Sequence, residues 1–219
     1  MEYFILTNCK GTISESGEPC KTEYTFDNAC EVCGTGAELN GKLRTKGLTK
    51  TKKNFIETLD GDYIISEDLY NKLIQSRIKL GILKNIVDSK NNILPFYHLY
   101  TGLILPAASL IKGLITSEQC PVCKRNGYFC EAIIGNPKLN ISTYIYPVEF
   151  SYVDVEKSLL ETSDFFFTWE CTGLSNRFAH DDYIVRYARP LLIVNESFKS
   201  VLEIEKIKGL KFEPVIFIK

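Results

Sequence analysis

The sequence predicts an α+β fold with mixed or antiparallel sheets, few helices and an interrupted zinc-ribbon element that has four cysteine ligands. Three observations predict it. Short segments with strand-like alternation outnumber helical segments, a strand–helix–strand pattern occurs twice, and two Cys-x-x-Cys pairs, at residues 30–33 and 120–123, have the spacing of metal ligands. With 219 residues, 45% of them hydrophobic, the chain can bury a substantial core.

Several segments have the composition of β-strands. They are Tyr3 to Leu6 at the start, Thr143 to Phe150 with its alternating large side chains, and Ile216 to Ile218 at the end. The aromatic run from Phe165 to Trp169 is typical of a fully buried strand, although a Trp and an acid side by side also suit an exposed binding anchor. We therefore expect strands to supply most of the regular structure.

A strand–helix–strand pattern occurs in two separate parts of the sequence, residues 63–83 and 192–212. Each copy places a residue with a hydrogen-bonding side chain, suited to the N-cap, where its helix would begin: Ser66 and Asn195. A glycine suited to the left-handed residue that ends a helix follows each helical run: Gly81 and Gly209. The pattern indicates either duplication of one unit or the reuse of a common motif.

We expect residues 1–219 to form one composite unit, because no low-complexity linker divides the chain. If both cysteine pairs hold one ion, residues 1–60 and 91–150 make up a part that contains the zinc ribbon. Residues 62–90 are then a strand–helix–strand unit inserted within it. Residues 151–219 form a C-terminal α+β unit that ends in the second strand–helix–strand pattern.

The two cysteine pairs predict a structural Zn²⁺ site whose ligands are Cys30, Cys33, Cys120 and Cys123. Two residues separate the cysteines of each pair, which lets a tight turn direct both sulfurs at one metal ion. Two such turns complete a tetrahedral sphere with no open position. A closed sphere favours a structural role over a catalytic one.

The sequence gives less support to other roles for the cysteines. A Cys-x-x-Cys pair can exchange thiol and disulfide when it begins a helix, but turn sequences follow both pairs here. Cys130 could replace a ligand, although burial in a strand is the more common fate of a lone cysteine. The remaining cysteines have no partner pattern, and we expect them to be structural: Cys9, Cys20 and Cys171.

The charge of the chain is balanced, with 26 Lys and Arg against 27 Asp and Glu. The segment from Lys42 to Lys53 is basic with almost nothing apolar, and it predicts an exposed loop or an edge hairpin. A zinc ribbon that presents this segment to phosphates is the alternative function, although nucleic acid is not the partner that the overall charge favours. No apolar run reaches the ~18 residues of a membrane span, and the start lacks a signal-peptide pattern, so we expect a cytoplasmic protein without a membrane partner.

Enzymatic chemistry is not expected. The two histidines, His98 and His180, are far apart in the chain and offer little for a hydrolytic metal site. The sequence contains no glycine-rich phosphate loop and no Gly-x-Ser-x-Gly motif. His98 stands among aromatic and aliphatic residues, where a half-buried, hydrogen-bonded role is expected.

The chain resembles the double-CXXCG-motif proteins, a family that includes immunity proteins protecting a cell from a kin-delivered toxin. The resemblance rests on the opening strand, on the first motif Cys30 to Gly34, on the second motif Cys120 to Cys123, and on the ending from Ile193 to Val215. Lys124 departs from the family pattern, because it stands where the family has a second glycine.

The resemblance implies a zinc-stabilised immunity protein that neutralises a cognate bacterial toxin by direct binding. Such a protein needs a surface rather than an active site. The polar cluster of Arg177, His180, Asp181 and Asp182 suits contact with a partner from a loop, although a solvated loop has the same composition.

Overall fold

The computed structural model describes residues 2–7, 14–81, 83–129, 131–133, 142–144, 147–175 and 188–218. The strands are β1 Tyr3–Thr7, β2 Glu15–Ser16, β3 Tyr24–Thr25, β4 Glu38–Leu39, β5 Leu43–Lys46, β6 Phe55–Glu57, β7 Tyr63–Ser66, β8 Lys84–Val87, β9 Ile93–His98, β10 Leu110–Lys112, β11 Ile115–Thr116, β12 Tyr128–Phe129, β13 Glu131–Ile133, β14 Ser142–Tyr144, β15 Glu149–Val153, β16 Phe165–Thr172, β17 Arg189–Asn195 and β18 Lys211–Ile218. The α-helices are α1 Glu67–Gln75, α2 Lys157–Leu160 and α3 Glu196–Ile204. Mixed sheets with few helices confirm the predicted α+β class.

Two sheets contain most of the strands. The six-stranded sheet has the order β2-β5-β8-β9-β7-β6, and the eight-stranded sheet has the order β10-β15-β18-β1-β17-β16-β12-β11. Two short hairpins, β3–β4 and β13–β14, stand outside them. The predicted inserted unit, residues 62–90, shares its sheet with strands from both sides of it in the chain, and the predicted domain boundaries stay a prediction.

The six-stranded sheet and the first six strands of the eight-stranded sheet have the same arrangement. In both, the first pair is antiparallel, the second is parallel and the next three are antiparallel. The helix occupies the same place, since α1 joins β7 to β8 and α3 joins β17 to β18. The two sheets differ in chain order at one strand. In the first sheet β9 follows β7, α1 and β8, whereas its equivalent in the second sheet, β1, comes at the start of the chain, far before β17, α3 and β18.

The pairing register is also the same in both sheets. Leu43 pairs with Ile86 in the first sheet, as Phe150 pairs with Val215 in the second. The strand pairings match three further buried residues of the first sheet with buried residues of the second. Ile56 corresponds to Phe166, Ile64 to Ile193 and Phe96 to Tyr3. The chain therefore consists of two halves with one topology: an N-half from β2 to β9, and a C-half from β10 to β18 completed by β1.

The helix ends explain why the two copies look alike in sequence. The side chains of Ser66 and Asn195 accept hydrogen bonds from the backbone amides three residues later, at 3.2 and 2.9 Å, which confirms both as N-caps. At the other end, the left-handed residues are Arg77 and Lys206, not the predicted glycines. Each is followed by an isoleucine whose amide bonds to the carbonyl of the fifth residue before it, which is the Schellman pattern: Ile78 to Leu73 and Ile207 to Leu202.

Gly81 and Gly209 do have positive φ, but they lie several residues beyond the helices. An exposed polar side chain, Arg77 or Lys206, ends each helix because the hydrogen bonds and the isoleucine that follows stabilise the turn there, with Ile78 buried and Ile207 partly buried. The predicted glycine helix ends are therefore wrong in position.

Three apolar clusters form the interior. The central one joins the halves, because it contains Leu69 and Leu73 of α1, Phe198 and Leu202 of α3, and side chains from both sheets. Each half also has a cluster mainly of its own. The C-half cluster surrounds Phe150, and the N-half cluster contains Leu43, Ile56, Ile64, Ile86 and Phe96. At roughly 25 cal/mol per Å² of apolar surface buried, the shared central cluster strongly favours keeping the halves together.

The basic segment differs from its prediction. Residues 43–46 form β5, which lies between β2 and β8 and is not an edge hairpin. Leu43, Thr45 and Leu48 are buried, whereas Lys42 and Lys46 are exposed. The alternation was missed because Thr45 supplies a buried position without being an apolar residue. By contrast, the strands predicted at residues 3–6, 165–169 and 216–218 are confirmed.

Candidate metal centre and the neighbouring cavity

Each half contributes one cysteine turn at the same place in its fold. The first turn lies between β2 and β5, within the hairpin formed by β3 and β4, and the second lies between β10 and β15, within the hairpin formed by β11 and β12. The turns therefore occupy equivalent positions in the two halves, although a long segment separates them in the chain.

The two turns have the same backbone hydrogen bond. The amide of Gly34 bonds to the carbonyl of Cys30 at 2.8 Å, and the amide of Lys124 bonds to the carbonyl of Cys120 at 3.1 Å. Gly34 has φ of 79° and Lys124 has φ of 59°, so both adopt the left-handed conformation. Lys124 thus keeps the shape of the second turn even though a side chain is disfavoured there.

Replacing Lys124 with glycine should stabilise the protein. A left-handed non-glycine residue costs roughly 1–2 kcal/mol, and the greater freedom of glycine in the unfolded chain offsets part of that gain. We expect K124G to raise the free energy of unfolding by about 1 kcal/mol in urea titrations. The control is K90G, because exposed Lys90 is not among the left-handed residues, and it should give no gain. Equal effects of the two variants would contradict this account.

The four sulfurs converge. Sγ of Cys30 lies 3.9 Å from Sγ of Cys120, Sγ of Cys33 lies 3.6 Å from Sγ of Cys123, and all four lie within 4.8 Å of one another. The edge of a tetrahedron with Zn–S bonds of ~2.3 Å is about 3.8 Å. A disulfide needs about 2.05 Å, so these cross-half contacts are not disulfides. The four cysteines could therefore hold one metal ion, and each contact joins equivalent cysteines of the two halves.

The electrostatics of the second turn suit a thiolate at Cys120. Burial opposes ionisation of Cys120, but hydrogen bonds from the backbone amides of Cys123 and Val122 and from the side chains of Cys33 and Cys30 together outweigh it and lower the pKa of Cys120 to about 7. Burial raises the pKa of Cys33. Without a cation, four neighbouring thiols cannot all ionise, whereas a bound cation would favour the thiolate at every one of them.

Hydrogen bonds connect both turns to β16 and the residues after it. The Asn126 side chain accepts from the Cys120 amide at 2.8 Å, and the Arg125 carbonyl accepts from the Cys171 amide at 2.6 Å. On the other turn, the Thr35 hydroxyl lies 3.1 Å from Sγ of Cys33 and donates to Ser175 at 2.8 Å. These contacts fix the orientation of the sulfurs, as outer-sphere groups do at metal sites.

The structure brings together Cys30, Cys33, Cys120 and Cys123. Cys20 and Cys171 are buried outside this cluster. The predicted partner-binding residues lie outside the described residues: Arg177, His180, Asp181 and Asp182. Cys9 and Cys130 lie outside them as well.

A cavity that the sequence did not predict lies beside the cysteine turns, where the two halves meet. Its volume is about 280 Å³. Its walls include residues that flank the first turn and residues of β7, β8, β9, β16 and β17. Its acidic, basic and imidazole side chains come from distant parts of the chain: Glu38, Asp62, Lys84, His98, Arg125 and Arg189.

Arg189 forms an ionic network across the halves. From β17 it bonds to Asp62 through Nε at 3.2 Å, to Glu18 through Nη2 at 2.8 Å and to the Tyr24 hydroxyl at 3.0 Å. Burial raises the pKa of Glu18 and opposes the effect of the Arg189 charge, which lowers it. Because Asp62 and Glu18 belong to the N-half, Arg189 is a second link between the halves besides the cysteine cluster.

His98 is more buried than the sequence suggested. Its side chain is 4% exposed, Nε2 lies 3.6 Å from Oδ1 of Asp62, and Nδ1 has no hydrogen-bond partner among the described residues. The expected half-buried, hydrogen-bonded histidine is therefore wrong on both points, since 3.6 Å exceeds hydrogen-bond length. Burial lowers the pKa of His98 to about 4, so the imidazole is neutral at pH 7.

This histidine should make stability fall at acidic pH. The unfolded chain protonates His98 near pH 6.5 and the folded protein near pH 4, so between these values the unfolded state binds more protons. The free energy of unfolding therefore decreases as pH falls through that window, by about 3 kcal/mol from His98 alone. Replacing His98 with glutamine should remove this part of the pH dependence of the free energy of unfolding. If the free energy of unfolding of the wild type and of H98Q changes with pH in the same way, His98 is not its source.

None of the helices within the described ranges has the length and apolar character needed to cross a lipid bilayer. Comparisons with protein families, with curated proteins and with solved structures found no match to this chain.

Proposed function

We propose that Cys30, Cys33, Cys120 and Cys123 bind one structural Zn²⁺ and that the protein acts by binding, as an immunity protein that neutralises a cognate bacterial toxin in the cytoplasm. The convergence of four sulfurs from two equivalent turns supports the metal. In this proposal the two turns and their hairpins form the interrupted zinc ribbon. The resemblance to the double-CXXCG-motif proteins supports the immunity role.

The sulfur geometry favours a structural ion over a catalytic one. Four thiolates fill a tetrahedral sphere and leave no position for a substrate or a water molecule. The ion would also cross-link the two halves at equivalent points, because each contributes one Cys-x-x-Cys pair. A binding protein needs such rigidity, since a preorganised surface loses less entropy when its partner docks.

A toxin-binding surface would bury about 800 Å² on each partner, with the energy concentrated in a few anchors. The candidate anchors are Arg177, His180, Asp181 and Asp182, on the sequence grounds given above. Blocking an active site or an entry step by occupying it requires no chemistry from the immunity protein.

Co-expression tests the immunity role. The protein is expressed with the toxin candidate encoded by the neighbouring gene, and growth is measured. We expect the wild type to restore growth, the variants R177A and D182A to lose protection, and K90A, which changes an exposed lysine of the β8–β9 turn, to protect fully.

The outcomes separate the interface from the function. If R177A and D182A protect as well as the wild type with unchanged thermal stability, the interface lies elsewhere. If the wild type protects against no neighbouring toxin, the immunity role is wrong.

Binding to nucleic acid is the second candidate, and the exposure of Lys42, Lys52 and Lys53 favours it. Lys46 is less available because its Nζ lies 3.4 Å from Oε2 of Glu15. We expect no binding of a mixed-sequence duplex at physiological salt. A complex there that weakens as a power law of salt concentration, and that K52E together with K53E abolishes, would reverse the ranking.

A further inference from the structure

Lys84 and Arg125 are cations that line the cavity between the halves, and neither is in direct contact with a carboxylate of the described residues. Lys84 donates to the Leu39 carbonyl at 2.9 Å and lies 4.8 Å from the Tyr100 ring centroid, and burial lowers its pKa. Arg125 donates through Nε to the Trp169 carbonyl at 3.1 Å. Among the ion pairs of the described residues, neither cation has a carboxylate within 4.0 Å.

The two acids of the wall have other partners. Oδ1 of Asp62 binds Arg189, and its Oδ2 accepts from the Ser16 hydroxyl at 2.6 Å. Glu38 is exposed at the edge of the cavity and accepts from the Asn28 amide at 3.0 Å. Lys84 and Arg125 therefore leave the interior of the cavity suited to an anion.

Most of the rest of the wall is apolar, and part of it is aromatic. Tyr24, Tyr100 and Phe167 line it together with Leu39 and Pro190. Ligand pockets usually hold about 300–1,000 Å³, so a cavity of about 280 Å³ suits a molecule with one or two rings. An apolar wall with a few polar groups is the usual composition of a ligand site.

His98 supplies a hydrogen-bond acceptor that the fold does not use. It lines the cavity, and no described residue donates to its buried Nδ1, which costs free energy unless another group does so. The equivalent residue of the C-half is Ile5, since Ile64 pairs with His98 as Ile193 pairs with Ile5. Ile5 is fully buried, so the topology accepts an apolar side chain at this position.

Asp62 shows the same contrast. It lies four residues before the N-cap of α1, and the residue four before the N-cap of α3 is buried Leu191. At these two positions the first sheet has polar side chains, Asp62 and His98, where the second sheet has apolar ones. Asp62 and His98 both line the cavity. The ion pair with Arg189 accounts for Asp62, whereas the described residues leave Nδ1 of His98 without a partner.

We propose that this cavity is a binding site for a small aromatic carboxylic acid that also carries a hydrogen-bond donor. The carboxylate faces the cations Lys84 and Arg125, the ring packs against Tyr100 and Phe167, and the donor group bonds to Nδ1 of His98. This proposal does not depend on the immunity role.

Calorimetric titration of the full-length protein tests the site with probes of one size and different charge. The probes are 4-hydroxybenzoate and benzoate as anions, benzyl alcohol as the neutral ring and benzylamine as the cation. We expect both acids to bind, 4-hydroxybenzoate more tightly, and benzylamine at least about tenfold more weakly than benzoate. Equal affinity for acid and amine, or no heat with either acid at millimolar concentration, would overturn the proposal.

Matched variants locate the binding. K84Q should weaken benzoate binding about tenfold, because a hydrogen bond to a charged group is lost, whereas K90Q in the turn after β8 should bind as the wild type does. H98Q should abolish the preference for 4-hydroxybenzoate over benzoate. Unchanged binding by K84Q would overturn the proposal, and the charge discrimination by the wild type tests it even if a variant does not fold.

Discussion

Replacing Cys30 or Cys120 with serine should lower the free energy of unfolding by on the order of 5 kcal/mol. Zinc contributes about 10–16 kcal/mol to the folding of small finger peptides, and a larger core makes this protein less dependent on its ion. The loss should be large because the two residues link equivalent turns of the two halves, with their sulfurs 3.9 Å apart. Urea titration under reducing conditions measures it.

A buried cysteine outside the cluster is the matched control. C20S makes the same chemical change at a buried site and should cost only about 1–2 kcal/mol. A strong chelator should lower the stability of the wild type to that of C30S and leave C30S unchanged. If the chelator has no effect on the wild type, or if C20S costs as much as C30S, no ion stabilises the fold.

Replacing Arg189 with methionine should cost about 3–5 kcal/mol at pH 8, because it leaves two buried carboxylates without their cation. The Arg189 side chain is only 12% exposed, and those of Asp62 and Glu18 are 6% and 10% exposed, so water would compensate little. Without Arg189 the pKa of Glu18, which burial already raises, should rise further. The deficit relative to the wild type should therefore shrink as pH falls toward 5.

A second substitution distinguishes lost ion pairing from lost packing. E18Q in the R189M background should recover part of the stability, because it removes one of the unpaired charges, whereas E18Q alone should destabilise. A deficit for R189M that is independent of pH and unchanged by E18Q would show that packing, not charge, sets its cost.

The parts of the fold that were predictable depend on local physics. The N-caps Ser66 and Asn195 and the apolar and aromatic composition of β1, β16 and β18 involve residues close in sequence, so pattern alone indicates them. The shared topology of the halves was only partly visible. The strand of the C-half that corresponds to β9 is β1, which lies at the opposite end of the chain. An alignment of the two copies in chain order therefore does not match the strands of their sheets.

The same distinction holds for the sites. The cysteine cluster was predictable because the spacing within each pair already fixes two ligands on one turn. The cavity was not, because Lys84, Arg125 and Arg189 resemble ordinary surface charges and meet only through tertiary structure. One signal was available: the aligned copies place Asp62 opposite Leu191, a polar residue where the other copy is apolar and buried.

X-ray absorption at the zinc edge of protein purified under reducing conditions, without a chelator, tests the central claim most directly. The proposed centre requires one zinc per chain with four sulfur neighbours at about 2.3 Å. The double variant C30S/C120S should lose this signal. An absence of zinc from the wild type, or a zinc ion with nitrogen or oxygen among its ligands, would contradict the four-cysteine centre that joins the two halves.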